Sequence, residues 1–373
     1  MELLIYKQTQ TYRYEFGERK IERSIDYAKQ NIKDEMVKIN TLKFDSQNNN
    51  NNIEQKKVWN FIDDIVEKVT DNRYQCELTI EKICIKKQYL YYEACQQIYY
   101  TVVYNLQKKS GIIASEFMVF SKLDQFAKDK VLKKIIDDKK WDKLEKKEQK
   151  TEHFIWIFSS QAAGYFFHEC IGHLLEQEQF RISNFNLGDR LLDSDIKLYE
   201  NWEVNEMYDD VGNRIKKNLC ILDKGIIRNI LTTDQASGNA WTQEPYIEPM
   251  ARMHSMYLTG GLENENIGKD VSDALYIKEV GVGEYNPING EVGLSINKSY
   301  SIEEGKIKDA LMPFTLLFNM HDLIKGKMIA SNNYEEMLGL CGKNGAVKVV
   351  KYRIPEILID WRENGKFIAD RYL

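Results

Sequence analysis

The chain has 373 residues, 43% of them apolar and 29% charged, the balance of a globular protein. That length exceeds one ordinary core and predicts two or three domains. Its 52 Lys and Arg against 57 Asp and Glu give a net charge of −5, so direct nucleic-acid binding is not expected.

No run approaches the roughly 18 apolar residues of a membrane span. The opening Met1 to Lys7 turns polar too soon for a signal peptide. Cys76, Cys84, Cys95, Cys170, Cys220 and Cys341 are scattered without a disulfide framework, which suits a reducing, cytoplasmic setting.

The expected fold class is α+β: a mixed α/β domain over residues 1–150, then a largely antiparallel β domain over 151–373. In the first part, Ile21 to Lys38 carries apolar residues at helical spacing, and Thr41 to Phe44 reads as a short strand. The Asn run from Asn48 to Asn52 reads as a solvated loop. Val58, Phe61, Ile62, Ile65 and Val69 mark an amphipathic helix. Strands are expected from Tyr74 to Phe120, where Cys76, Leu78 and Ile80 alternate and the Tyr-rich stretch to Tyr104 fits a half-buried sheet. Asp124 to Lys150 reads as a charged helix with Phe126, Val131, Leu132 and Ile135 on one side.

The second part opens on a compact buried strand, His153 to Phe158. Ser159 and Ser160 then offer an N-cap for a helix from about Gln161 to Gln177. Beyond Trp202 the chain is strand-rich. Asp223-Lys224-Gly225, Asn289-Gly290, Glu304-Gly305 and Asn364-Gly365 are hairpin signals.

The helix after residue 160 carries the chemistry. Two of the chain's five histidines, His168 and His173, lie on it, and Glu169 directly follows the first. At about 100° per residue one face is apolar, and the other gathers His168, Glu169, His173 and Glu176. Five residues apart, the two rings splay by about 140°, whereas the usual zinc-protease spacing of four gives about 40°. A π-type turn or kink would bring them onto one ion, with Gly172 at the easiest place to break the ladder and an i→i+5 hydrogen bond expected within Glu169 to Leu174. Neutral imidazoles suit zinc, and Glu169 would be the general base. The alternative is two ordinary histidines on an amphipathic helix. A third ligand must come from elsewhere: His254, His321, Cys341 and many carboxylates are available. Cys341 stands out because its flanking glycines allow close approach of the backbone.

Several spaced segments, in order, resemble the TldD/PmbA family of metallopeptidases, also labelled modulators of DNA gyrase. Ala162-Ala163-Gly164 leading to His168-Glu169-Cys170-Ile171-Gly172-His173 and Glu176 is similar to the family's AAGxxxHExxGHxxE element. Tyr208 to Gly212, Ile221 to Gly225, Pro249 to Met253, Glu279 to Pro287 and Cys341 to Gly345 resemble further family segments, so the likeness covers roughly residues 155–360. Departures are a shorter first part, Ser255 near the usual Asn after Arg-Met, and Val282 and Glu284 in the Gly-rich loop.

The resemblance implies one zinc held by His168, His173 and Cys341, with Glu169 as base in the hydrolysis of extended or unfolded peptides. It also implies a catalytic subunit, either a homodimer or paired with a paralogue lacking the motif. Glu176 is a candidate to orient a ligand ring from behind, or a surface carboxylate. Arg252 is a candidate to orient substrate, or to form a structural salt bridge. The competing function is a non-catalytic peptide-binding or gyrase-modulating protein in which zinc is structural or absent.

Overall fold

The computed structural model describes residues 2–15, 17–31, 50–89, 92–149, 153–204, 208–242, 248–260, 267–268, 271–343 and 346–361. They fall into two compact units. The first holds the described residues up to Leu144 with Glu248 and Leu338–Leu340, and the second holds the rest.

The first unit contains β1 (Glu2–Glu15), β2 (Glu18–Asn31), α1 (Asn50–Val69), β3 (Gln75–Tyr89), β4 (Tyr92–Lys108), β5 (Gly111–Phe120) and α2 (Gln125–Asp142). The strands form one antiparallel sheet in the order β2-β1-β3-β4-β5. The α1 stripe of Val58, Phe61, Ile62, Ile65 and Val69 and the α2 stripe of Ala127, Val131 and Ile135 share a core with Leu78, Ile80, Val102, Tyr104 and Leu106. Periods of 3.6 and 2 thus meet in one apolar layer. Asp124 caps α2 by accepting the Ala127 N–H at 3.0 Å.

Three expectations for this unit change, and a fourth falls on residues outside those described. Ile21 to Asn31 is strand, paired with β1 in register from Glu2↔Asn31 to Glu15↔Glu18. Ile21, Ile25 and Tyr27 also fit a period of two, and the hairpin partner decides between the readings. α1 starts at Asn50, so the end of the Asn run is helical. α2 stops at Asp142, and Phe126 is 63% exposed, off the apolar stripe. Thr41 to Phe44 lies outside the described residues.

The second unit contains β6 (Lys146–Lys147), β7 (Ile155–Phe158), α3 (Ser160–Phe166), a π turn (Phe167–Gly172), α4 (Gln177–Ile182), β8 (Lys197–Glu200), β9 (Leu219–Asp223), β10 (Ile226–Ile227), β11 (Ala240–Trp241), β12 (Met250–Ala251), β13 (Ser255–Thr259), β14 (Asp273–Tyr285), β15 (Glu291–Glu303), β16 (Lys306–Leu311), β17 (Phe314–Asn319), β18 (Lys327–Lys343) and β19 (Ala346–Asp360). Its main sheet runs β10-β9-β8-β13-β19-β7-β14-β15-β16-β6, with β17 on β15 and β18 on β19. Most pairs are antiparallel, and β13–β19, β7–β14 and β6–β16 are parallel. The fold class is therefore α+β with a large β part. The turns expected at Lys224-Gly225, Asn289-Gly290 and Glu304-Gly305 join β9 to β10, β14 to β15 and β15 to β16. Asn364-Gly365 lies outside the described residues. At Gly225 (φ +72°) a side chain would run into the Leu192 carbonyl, so only glycine fits that turn.

Candidate metal centre

β7 is buried along its whole length and feeds directly into α3, where Ser159 Oγ accepts the Ala162 N–H at 3.2 Å. Ala162, Ala163 and Gly164 keep this first turn narrow, so the helix lies close to its neighbours. A methyl at Gly164 would sit 2.8 Å from Met337 Cε and 3.5 Å from Tyr352 Cδ2.

From Phe167 to Gly172 the helix widens into a π turn, and the His173 N–H bonds to the His168 carbonyl, an i→i+5 link. The expected break is there, and it brings the two rings to a centroid distance of 4.8 Å at 74°. Gly172 has another reason as well: a methyl there would collide with Met253 Sδ, so the glycine makes room for a packed core side chain. The helix does not run on to Gln177 as one piece. At Glu176 the backbone turns extended, and Leu231 brackets it by accepting from Gln177 N and donating to the Leu175 carbonyl, each at 2.8 Å.

Cys341, near the end of β18, completes a group in which the ligand atoms of His168, His173 and Cys341 all lie within 4.8 Å of one another. Cys341 Sγ is 3.5 Å from His173 Nε2. Two ligands held at tetrahedral angles with ordinary Zn–N and Zn–S bonds stand about 3.5 Å apart. His168 is 1% exposed, and among the described residues neither of its ring nitrogens has a hydrogen-bond partner. A neutral imidazole buried with both nitrogens unsatisfied is costly, and a metal ion removes that cost. The donor set of two imidazoles and a thiol fits zinc.

Glu169 leans over this group, its carboxylate oxygens 4.0 Å from His168 Nε2 and 3.8 Å from His173 Nε2. Burial pushes its carboxyl up, against the opposing charges of the two histidines. β14 crosses directly above it: a methyl on Gly283 would fall 2.5 Å from Glu169 Cγ.

Behind this cluster lies a buried ionic layer. Glu176, fully buried, accepts from His173 Nδ1 at 3.1 Å and from Lys343 Nζ at 2.6 Å, and its other oxygen is 3.8 Å from Arg252 Nε. Arg252, also fully buried, donates to the Cys341 carbonyl at 2.6 Å and lies 5.3 Å from the Trp241 ring centre. Arg252 thus stands in a buried ion pair, and Glu176 is a buried carboxylate bonded to the His173 ring. Burial works against ionisation of Glu176, yet His173, Lys343 and Arg252 together hold it at about 2. The same layer draws the His173 imidazolium up to about 10 in spite of burial, chiefly through the Glu176 charge. Burial also opposes the Cys341 thiolate, but the charges of His168 and His173, with the contact to His173 Nε2, hold it at about 5, the form a metal ligand needs.

The other two histidines considered as ligands lie apart from this cluster. His254 Nδ1 is 2.9 Å from Lys348 Nζ, and His321 stacks on Phe185 at 4.3 Å. The sequence reading missed Lys343 as a partner of Glu176, although it sits in the matched Cys-Gly-Lys segment. It also missed Trp241 and Tyr352, which no local pattern marks.

The family model of the PmbA/TldA metallopeptidase C-terminal domain matches residues 151–362, and the chain belongs to the TldD/PmbA family. It is 23% identical over 228 residues to a zinc metalloprotease TldD homolog of Saccharolobus solfataricus, covering 57% of this chain and 51% of that one. A metalloprotease of Methanocaldococcus jannaschii is 23% identical over 206 residues, covering 51% of this chain and 46% of that one. The chain thus spans about half the length of the curated relatives it matches. Among solved structures it is similar to TldE from Thermococcus kodakarensis (TM-score 0.65, 14% identity, 96% of this chain and 95% of that one). A candidate modulator of a DNA gyrase from Thermotoga maritima is similar at TM-score 0.66 and 14% identity, again over 96% of this chain and 95% of that one. These two likenesses take in the first unit as well as the second. No helix among the described residues is long and apolar enough to cross a membrane.

Proposed function

We propose that the chain is a zinc-dependent peptidase that hydrolyses extended or unfolded peptides, with His168, His173 and Cys341 holding the metal and Glu169 as general base. The observation that supports this reading is the buried His168 imidazole, whose two nitrogens make no hydrogen bond among the described residues, beside a thiol and a second imidazole. Zinc held there acidifies a water molecule and polarises a carbonyl. Glu169, raised by burial yet beside two histidines, accepts the proton of the attacking water and returns it to the leaving amine. Glu176 fixes the His173 ring through Nδ1, leaving Nε2 toward the metal side, and Arg252 fixes the backbone of Cys341.

Substrate entry as an added β-strand is favoured by β14. It pairs with β7 only through Leu275–Ile277, and its later part passes Glu169 at Gly283. The chain acts in the cytoplasm as the catalytic member of a homodimer, or of a heterodimer with a paralogue lacking the motif, and its size in solution alone and with such a paralogue separates the two.

The test is metal analysis of the purified chain together with cleavage of unstructured peptides, with and without a chelator. About one zinc per chain and chelator-sensitive cleavage are expected. Zinc-loaded protein that cleaves nothing, with a fourth protein ligand closing the site, would favour the non-catalytic alternative.

A further inference from the structure

Asn239 directly precedes β11 and Arg252 directly follows β12, so the two form the next pair of that antiparallel ladder after Ala240↔Ala251. The Arg252 N–H bonds to the Asn239 carbonyl at 3.0 Å, as a ladder requires. The return bond is made differently. The Asn239 N–H turns to the Thr232 carbonyl at 3.0 Å, and the Asn239 side-chain amide replaces it on the Arg252 carbonyl, also at 3.0 Å. One residue thus grips Arg252 by both of its backbone groups.

Asn201 in turn holds Asn239. Their side-chain amides bond to each other in both directions, at 3.0 and 3.2 Å, and the Asn201 amide also donates to the Lys216 carbonyl at 3.1 Å. All four N–H donors of the two amides are therefore spent, and both residues are fully buried. Asn201 makes these bonds from the left-handed region, at φ +58°, which glycine takes more readily. Its amide is kept there against a backbone cost.

From Arg252 the grip reaches the candidate metal centre. Arg252 Nη2 donates to the Cys341 carbonyl at 2.6 Å, and Trp241, on the same short strand that Asn239 opens, lies 5.3 Å from the guanidinium. That strand therefore holds Arg252 at its backbone and at its head. The carbonyl that Arg252 holds belongs to the residue that carries the sulfur, so a shift of Arg252 moves Cys341. Buried polar networks with every donor satisfied are rigid, and a ligand held by one has less freedom to lose when a metal binds.

We propose that Asn239, braced by Asn201, is a positioning residue that acts through Arg252 to set where Cys341 presents its sulfur to the metal. The inference rests on the reading of His168, His173 and Cys341 as the metal site.

The experiment measures zinc affinity by chelator competition, and the absorption spectrum of the cobalt-loaded protein. It compares the unaltered chain with Asn239→Ala, Asn201→Gly and Arg252→Lys, and with each of the first two combined with Arg252→Lys. Zinc affinity should fall by about 10-fold in each single variant. The thiolate-to-cobalt charge-transfer band, which reports the Cys341 bond, should weaken or move in each, a change that lower stability alone does not produce in folded protein. Because both amides act through Arg252, each double variant should bind zinc within about 2-fold of Arg252→Lys. Asn201→Gly suits the left-handed backbone while deleting the amide, and so covers the case in which Asn239→Ala folds poorly. Zinc affinity and a cobalt spectrum like those of the unaltered chain in either folded variant would overturn that residue's part. Single losses that multiply in the double variants would overturn the action through Arg252. An unaltered chain that binds neither zinc nor cobalt would overturn the metal reading, and this inference with it.

Discussion

Gly283 gives the sharpest test of how the general base is placed. A methyl added there would lie 2.5 Å from Glu169 Cγ, 2.8 Å from Glu169 Cβ and 3.1 Å from Leu294 Cδ2. Carbon contacts settle at about 3.5–4.0 Å, so strand and π turn must part by about 1 Å. Cβ is fixed to the backbone, and Glu169 cannot relieve the overlap by changing rotamer. Leu294 is fully buried and packed in the core, so the strand cannot easily yield the other way. Overpacking of this kind costs about 1–3 kcal/mol. In a unit of this size that lowers the melting temperature by about 2–10 °C. Displacement of a reacting group by about 1 Å lowers the rate by about 10²-fold. Gly283→Ala should therefore fold, keep its zinc and lose about 10²-fold in peptide hydrolysis, because the methyl meets Glu169 and not a proposed ligand. Peptide cleavage, metal analysis and a thermal melt on one preparation check all three. A folded, zinc-loaded Gly283→Ala protein with full activity would refute the placement of Glu169 beneath β14, and with it Glu169 as the base.

Glu169→Gln removes the base but is nearly isosteric: zinc should stay and hydrolysis should fall by about 10²–10⁴-fold, read by metal analysis and cleavage. Loss of zinc in that variant would instead make Glu169 a ligand. Glu176→Gln leaves the fully buried Arg252 without the carboxylate beside it, so stability should drop by about 3–5 kcal/mol in denaturant unfolding. Zinc affinity, read by chelator competition, should also weaken by about 10–100-fold as the His173 ring loses its anchor. In the first unit, a hydrogen bond from Lys139, then one from the Arg73 N–H, hold the Asp71 carboxyl down at about 2 from an ordinary 3.8. A depressed carboxyl stabilises the fold above its unfolded value and loses that contribution as pH falls through its folded value. The stability gap between the unaltered chain and Lys139→Met should therefore be constant above pH about 4 and narrow toward pH about 2, as followed by circular dichroism; a gap unchanged at pH 2 would show that Asp71 is not the group involved.

The candidate site was legible along the chain because its residues are concentrated in one helix. His168, Glu169, His173 and Glu176 fall within nine residues, and the five-residue spacing of the histidines itself called for the wide turn that is found. Cys341, by contrast, became a candidate only through its glycine-flanked setting and the family resemblance, since nothing local says that β18 returns to the helix. Arg252, Lys343 and Trp241 meet Glu176 or one another only after the sheet has assembled, which a linear pattern does not encode. Errors of element type arose where two periods fit the same residues. Ile21, Ile25 and Tyr27 satisfy a strand as well as a helix, and the long register with β1 settles the matter. At the end of α2, Lys146–Lys147 leaves the helical pattern to pair with Ala310–Leu311 of β16, a tertiary partner that outweighs helix propensity.

Two glycines in the site serve space more than torsion. Gly172 and Gly283 both lie outside the left-handed region; one makes room for Met253, the other for Glu169 itself. A π turn sacrifices regular i→i+4 bonds and is retained where neighbouring structure holds it. Here Phe166, Phe167, Cys170 and Ile171 are fully buried on the apolar side, so the wide turn is clamped by the core. On the polar side Glu176, Lys343 and Arg252 lock the ring of His173 and the backbone of Cys341. Neither clamp suffices alone. The core fixes where the helix lies but not which way an imidazole faces, and the ionic layer orients ligands but is costly to bury without its partners. Their meeting point is the pair of nitrogens on His168 that make no hydrogen bond among the described residues, the demand that the proposed metal would meet.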